Sequence, residues 1–351
     1  MGKRIKVLYT IPNFKTAGSQ YVLLSLFNAI DKTKFDPYVC VENYPELIPE
    51  EIPVDRRLRF QFSSHLKQDM WRFREMLKEH TIDIIHSWDY KSNYREPMGC
   101  RFAGVKYLYT KKNNAWSKKW FLKSLLSNHI VYNNPEMKKR FFSSFLFFKK
   151  TSFLPHGIDP TIFKPMSKRK KHSSFNIGCI GNINKNKNQL FLIQALPMLP
   201  KNVVLHLYGN EDEEYGALLR AYIQKHGLSK QVEMHGFVEN IAIPKVLNTL
   251  DLFVLPSVQE GLPLVILEAM ACGVPVLSSD SGGGSRYVLD SKYIFSLERK
   301  KEFVQKILKI FTLEKEERDE IKKKGIQKIC ENHSLIQEVK AYEKVYNAIN
   351  Y

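Results

Sequence analysis

Short apolar runs of strand length alternate with helix-period stretches through most of this chain, and that alternation restricts it to parallel sheets covered by helices. In the first half the pattern predicts strands over residues 5–11, 38–41 and 82–86, with a helix near 19–30. In the second half it predicts strands over 176–180, 203–208, 232–236, 252–255 and 275–278, separated by helices near 189–198, 214–226, 243–250 and 263–272. The fold class is therefore α/β, and the second half reads as a doubly wound sheet whose ligands gather at the carboxyl ends of the strands. From Lys164 to Ser174 the sequence turns polar and basic and loses its periodicity, as an exposed linker does. The expected organisation is a first domain over 1–165, a linker over 166–174, a second domain over 175–335, and a helix over 336–351 able to pack back on the first domain.

An apolar fraction of 44% in 351 residues is ample for two interiors. The start, Lys3-Arg4-Ile5-Lys6-Val7, reads as charge followed at once by a strand, unlike a signal peptide, and no apolar run is long enough to span a bilayer. Five scattered cysteines without a C-x-x-C spacing suggest neither zinc nor disulfide chemistry, so a reducing cytoplasm is the expected setting. The net charge of +18 is uneven: residues 101–150 hold twelve Lys or Arg against Glu136 alone. Such a block seeks phosphate, on a lipid, a nucleic acid or a phosphorylated acceptor.

One segment narrows the chemistry. The predicted strand 252–255 runs through Pro256 and Ser257 to Glu260, Gly261, Leu262 and Pro263, then into an apolar helix that stops at Gly273. Pro suits a first helical turn and Gly a helix end, so both limits are well defined. The first-turn amides of Leu262, Leu264 and Val265 should face the strand-end crevice with the helix dipole behind them, a place for phosphate. Glu268 is the anomaly, a carboxylate in a helix that is otherwise apolar or small from Leu264 to Cys272.

Glu260 through Glu268, continuing Ala-Met-Ala-Cys-Gly-Val-Pro-Val, resembles the E-x7-E signature of family 4 retaining glycosyltransferases. The resemblance implies a GT-B architecture, two Rossmann-like doubly wound domains facing across a cleft. It implies that Glu260 lies near the donor sugar hydroxyls, that Glu268 bonds the nucleotide ribose, and that the amides of Gly261, Leu262, Leu264 and Val265, around Pro263, hold the diphosphate. Gly181-Asn182-Ile-Asn-Lys185-Asn-Lys187-Asn188 is similar to the family's G-R-x5-K-N donor loop, with Lys187 at the diphosphate lysine. Asn182 replaces the usual Arg, a charge that Lys185 could restore. Gly209 and Val238 fall on strand ends that line the family's nucleotide pocket, and His235 beside Val238 reads as structural. Ala17-Gly18 resembles a glycine loop that faces the donor phosphates.

The first domain departs more. His86-Ser-Trp-Asp89 is similar to a strand end where a second His often stands at Trp88, and Lys112 or a neighbour occupies the place of a sugar-contacting His. His86, Asp89 and Lys112 are thus sugar or acceptor candidates. Arg286 stands where the family often has Glu, which admits the alternative of a catalytically weakened sugar- or nucleotide-binding protein. The expected substrates are a nucleotide sugar, with UDP the commonest carrier, and a glycan or lipid-linked acceptor. No cofactor and no metal are expected, because Lys187 and the helix amides would serve where a divalent ion serves elsewhere. Phe141-Phe142-Ser-Ser-Phe145-Leu146-Phe147-Phe148, bracketed by Lys138-Lys139-Arg140 and Lys149-Lys150, predicts docking of residues 101–150 on an anionic membrane at the inner face of the cell membrane. A nucleic-acid binder would explain the charge but not the two glutamates, and no RRM, KH or zinc pattern is present.

Overall fold

The computed structural model describes residues 3–14, 18–42, 48–88, 93–166 and 173–350. By packing, the chain forms two units, Met1–His156 with Leu335–Tyr351, and Gly157–Ser334. The division falls earlier than the basic stretch suggests. Ile158 bridges Ser334, and Ile158 and Phe163 are buried in the second unit's core, so the residues just before Lys164 belong to that unit. Most of the expected linker, residues 167–172, lies outside the described residues.

The first unit's strands are β1 (Ile5–Ile11), β2 (Phe35–Val41), β3 (Arg57–Arg59), β4 (Ile84–Ser87), β5 (Lys106–Lys111), β6 (His129–Tyr132) and β7 (Thr151–Phe153). Its helices are α1 (Gly18–Ala29), α2 (Leu66–Glu79), α3 (Arg95–Ala103), α4 (Lys118–Leu126), α5 (Glu136–Phe141) and α6 (Phe145–Phe148). The seven strands pair in parallel in the order β3-β2-β1-β4-β5-β6-β7. Both faces of such a sheet are covered, which is why β1 and β2 are buried along nearly their whole length instead of alternating.

The second unit carries β8 (Phe175–Ile180), β9 (Val203–Tyr208), β10 (Val232–Gly236), β11 (Leu252–Leu255), β12 (Val276–Ser279) and β13 (Ile294–Phe295). Its helices are α7 (Gln189–Ile193), α8 (Glu213–Lys225), α9 (Ile243–Leu247), α10 (Leu264–Ala271), α11 (Gly284–Val288), α12 (Lys300–Phe311) and α13 (Lys315–Asn332). The order is β10-β9-β8-β11-β12-β13, again parallel. The last helix, α14 (Leu335–Asn350), belongs to the first unit and buries Val339, Tyr342, Val345 and Tyr346 there.

In each sheet the strand order reverses once, between β1 and β4 and between β8 and β11. The loops leaving two strands on either side of a reversal diverge to opposite faces, and the crevice between them is where open α/β sheets bind ligands. Chain order alone thus directs attention to the turns after Ile180 and Leu255 in the second unit, and after Ile11 and Ser87 in the first.

Candidate active site

The turn after β8 and the loop after β11 meet. Lys187 Nζ donates to Glu260 Oε1 at 2.7 Å, with side chains only 22% and 15% exposed. The backbones are tied as well: the Val258 N–H donates to the Asn186 carbonyl at 2.7 Å, and Asn186 Nδ2 donates to the Gln259 carbonyl at 3.1 Å. Asn184 Oδ1 accepts the Lys187 N–H at 2.9 Å and curls the turn that aims the lysine inward. Behind the pair, Gly181 and Gly209 take φ of +143° and +147°. A Cβ on Gly209 would lie 2.1 Å from the Gly181 carbonyl oxygen, so the two strand ends approach to a distance that a side chain forbids.

Helix α10 begins beside this pair. Pro263 precedes it without a side-chain cap, and helix geometry leaves the amides of Leu264 and Val265 with no acceptor in their own helix. Gly273, at φ +71°, closes the other end in the left-handed conformation. The Glu260 N–H donates to the Ser281 carbonyl at 2.7 Å, and a Cβ on Gly284 would meet the Gly261 carbonyl oxygen at 1.7 Å. The glycine run 282–284 after β12 therefore supports the loop from outside. Asn186 stands in the donor-loop motif without an assigned role, and Ser281 and Gly284 carry no sequence expectation; three glycines in a row at a strand end were the available signal for the last.

Glu268 sits on α10 with part of its surface open, and among the described residues its carboxylate has no hydrogen bond or ion pair. Desolvation raises its pKa from 4.5 to about 7. An acid held there half-neutral gains from any partner that favours the carboxylate form, as a pair of hydroxyl donors does.

The other donor candidates are placed less centrally. Asn182 is exposed and its carbonyl accepts from Gln189 Nε2 at 3.0 Å. Lys185 pairs with Glu214 at 3.6 Å on open surface, with both side chains more than 70% exposed, a weak contact away from Lys187. Val238 packs on the α10 side of the core, and Arg286 on α11 pairs with Asp280.

In the first unit, Gly18 opens α1, and Ala17 and Asp89 lie outside the described residues. His86 is buried with both ring nitrogens engaged, Nδ1 with the Tyr346 hydroxyl at 2.7 Å and Nε2 with the Thr110 hydroxyl at 2.8 Å. Burial holds its pKa well below 6.5, so it is a neutral strut between β4, β5 and α14 and offers no ring nitrogen to a sugar. Lys112 Nζ donates to the Trp88 carbonyl at 2.5 Å and lies 4.8 Å from that indole's centroid.

The basic block divides into structural and surface parts. Lys111 and Lys123 are buried around Trp120, 3.8 and 5.1 Å from its ring centroid, and desolvation lowers the Lys111 pKa to about 7. Lys150, expected to meet lipid phosphate, instead donates to the carbonyls of Ser124, Leu125 and Ser127 at 2.8–2.9 Å and caps the end of α4. The phenylalanine run is not one insertion element either: Phe142 and Phe147 are core, while Phe145 is 79% and Phe148 51% exposed. Phe121 on α4 packs edge-on against Phe147 at 5.4 Å, which sets the exposed Phe121, Leu122 and Leu125 beside Phe145, Leu146 and Phe148. Lys118, Lys119 and Lys149 are exposed around them. Among the described residues no helix is long and apolar enough to cross a membrane.

The fold matches a solved structure of Anabaena HepE in complex with UDP and glucose, with TM-score 0.83 and 17% identity over 98% of this chain and 100% of that one. It likewise matches a glycosyltransferase from Rickettsia africae, with TM-score 0.85 and 13% identity over 99% of each chain. Two parallel α/β units of this kind, with loops converging at the switch point of the second, place the chain among the GT-B glycosyltransferases. It belongs to glycosyltransferase family 4: the family described as Glycosyltransferase Family 4 matches residues 16–162, and Glycosyl transferases group 1 matches residues 162–328. Among its relatives is the Escherichia coli UDP-Gal:alpha-D-GlcNAc-diphosphoundecaprenol alpha-1,3-galactosyltransferase, 26% identical over 77% of this chain and 78% of that protein. The Staphylococcus aureus capsular polysaccharide biosynthesis glycosyltransferase CapH is 27% identical over 65% of this chain and 68% of its own length.

Proposed function

We propose that this glycosyltransferase moves a hexose-type sugar, with retention, from a UDP-sugar to a glycan or lipid-linked acceptor at an anionic membrane surface. The observation that carries the reading is the Lys187–Glu260 pair at 2.7 Å, set at the switch point beside the first amides of α10. A diphosphate entering there takes over Lys187 and the amides of Leu264 and Val265, and releases Glu260 toward the sugar hydroxyls. Glu268 accepts from the ribose. In the transfer step the bond from the anomeric carbon to the diphosphate oxygen breaks, the acceptor oxygen bonds to the same face of that carbon, and the acceptor proton passes to the departing phosphate oxygen. The protein's contribution is positioning and stabilisation of the leaving diphosphate by Lys187 and helix amides, without a metal ion in the step. UDP as carrier accords with the nucleotide in HepE and the donor in the name of the E. coli relative.

Membrane docking belongs to this reading through the patch of Phe121, Leu122, Leu125, Phe145, Leu146 and Phe148 with exposed lysines around it. Apolar insertion plus basic residues at about 1 kcal/mol each gives reversible attachment to an anionic leaflet. The test of the donor is thermal-shift screening against nucleotide sugars. A ligand at 100 times its dissociation constant stabilises by about 2.7 kcal/mol. UDP-sugars are expected to raise the midpoint above GDP- and ADP-sugars; no response to UDP, or a larger response to another nucleotide, overturns the carrier assignment.

A further inference from the structure

The second unit carries a three-residue cluster that sugar transfer does not use. His206 on β9 stands directly opposite Glu233 on β10, and His235 follows on the same face two residues along the strand. Among the described residues, their ligand atoms converge: His206 Nδ1 lies 3.0 Å from His235 Nε2 and 3.3 Å from Glu233 Oε2, and His235 Nε2 lies 3.4 Å from that same oxygen.

A tetrahedral ion with bonds of about 2.0–2.1 Å sets its donor atoms about 3.3 Å apart. The three sides of this triangle, 3.0, 3.3 and 3.4 Å, are those of one face of such a tetrahedron. An ion about 2.05 Å from all three atoms sits about 0.8 Å out of their plane and leaves a fourth position facing solvent. The surroundings also prepare the ligands. His206 Nε2 is 3.3 Å from Asn176 Oδ1, which already accepts from the Ser174 hydroxyl at 2.9 Å. With an acceptor there, Nε2 holds the proton and Nδ1 presents its lone pair to the cluster, the tautomer a metal ligand needs. Tyr208 stacks on His235 at 4.3 Å and 9°, fixing the plane of the second ring.

We propose that His206, Glu233 and His235 form a binding site for a borderline divalent transition ion, with Zn2+ the best match to two imidazoles and a carboxylate. Mg2+ and Ca2+ call for oxygen-rich shells of six or more ligands and are excluded by the donor set. The ion's role is structural. β10 is an edge strand, and its register against β9 shifts between Met234 and Gly236. A bond from β9 to both Glu233 and His235 fastens the edge strand at that irregularity, just before the turn to Val238. The site is independent of the donor assignment and takes no part in the transfer step.

The experiment titrates the full, nucleotide-free chain with zinc chloride in a non-coordinating buffer, with calorimetry for stoichiometry and a melting curve for stability. One ion per chain and a rise in melting temperature reversed by EDTA are expected. The double variant His206→Ala/His235→Ala should lose affinity more than about 100-fold, and Glu233→Gln at least about tenfold. Melting in EDTA at the wild-type temperature confirms that each variant is folded. Cys330, the exposed thiol, is the competing ligand, so Cys330→Ser should bind as the wild type does. Absence of saturable one-to-one uptake, uptake unchanged in the double variant, or uptake lost in Cys330→Ser overturns the site.

Discussion

Glu260→Gln separates the two roles proposed for the pair at the switch point. At 2.7 Å and an effective dielectric near 20, the direct attraction between Lys187 and Glu260 is about 6 kcal/mol. Most of it is offset by the hydration both groups surrender, which leaves a net charge-assisted bond of about 1–2 kcal/mol. A diphosphate claiming Lys187 has to break that bond. In Glu260→Gln the amide carbonyl still accepts from Lys187 but holds it less strongly, so UDP alone should bind about fivefold tighter than to wild type. Under the proposed reading, turnover should fall about 100-fold, because the carboxylate proposed to meet the sugar is gone. Calorimetry with UDP and a UDP-release assay with donor and acceptor read the two effects. Lys187→Ala supplies the comparison, losing both UDP affinity and turnover, and the double variant should show a coupling of 1 kcal/mol or more in UDP binding, on the order of that net bond. Weaker UDP binding in Glu260→Gln, or wild-type turnover, would refute a glutamate that competes with phosphate for Lys187.

Glu268→Gln should cost UDP affinity about tenfold or more if, as proposed, its carboxylate accepts from the ribose. It also carries a pH signature. The carboxyl titrates at about 7 when folded and near 4.5 when unfolded, so the wild type loses stability as pH rises from 4.5 to 7 and stays penalised above. The variant should therefore melt higher than wild type at pH 8, by about 1–3 kcal/mol of stability, and equally at pH 4.5; a constant difference across that range contradicts the raised value. Gly284→Ala forces a Cβ against the Gly261 carbonyl and should weaken UDP binding with the fold retained, while unchanged calorimetry would mean the loop yields without consequence. Co-sedimentation with vesicles should require anionic lipid, fall as salt rises, and drop on Phe145→Ser, Phe148→Ser and Lys149→Ser together; equal recovery on neutral vesicles denies the patch a membrane role.

The second unit was the more legible in sequence because its strands are short apolar runs and its helices have clear ends, as from Pro263 to Gly273. Lys187 and Glu260 could be named from their motifs, but their meeting at 2.7 Å depends on two turns 73 residues apart and shows only in the fold. The first unit hid β5, since Lys106 and Lys111 frame a strand that is nonetheless interior to the sheet, with Lys111 buried against Trp120. His86 could be read as a ligand-facing residue because its partner Tyr346 stands 260 residues away. Lys150 gave no sign of capping a helix, for its acceptors are backbone carbonyls, which composition does not reveal. His206 and Glu233 become neighbours only through parallel register.

The helix that finishes the first unit is synthesised after the whole of the second. While a nascent chain lengthens, β1, β4 and β5 leave the ribosome early, yet the buried His86 and Thr110 gain the hydroxyls of Tyr346 and Tyr342 only when α14 follows. The contiguous stretch Gly157–Ser334 meets no such delay. Order of emergence and order of completion are thus reversed: the later half can reach its native packing first, and the earlier half stays open along one seam until the final turns of α14 close it.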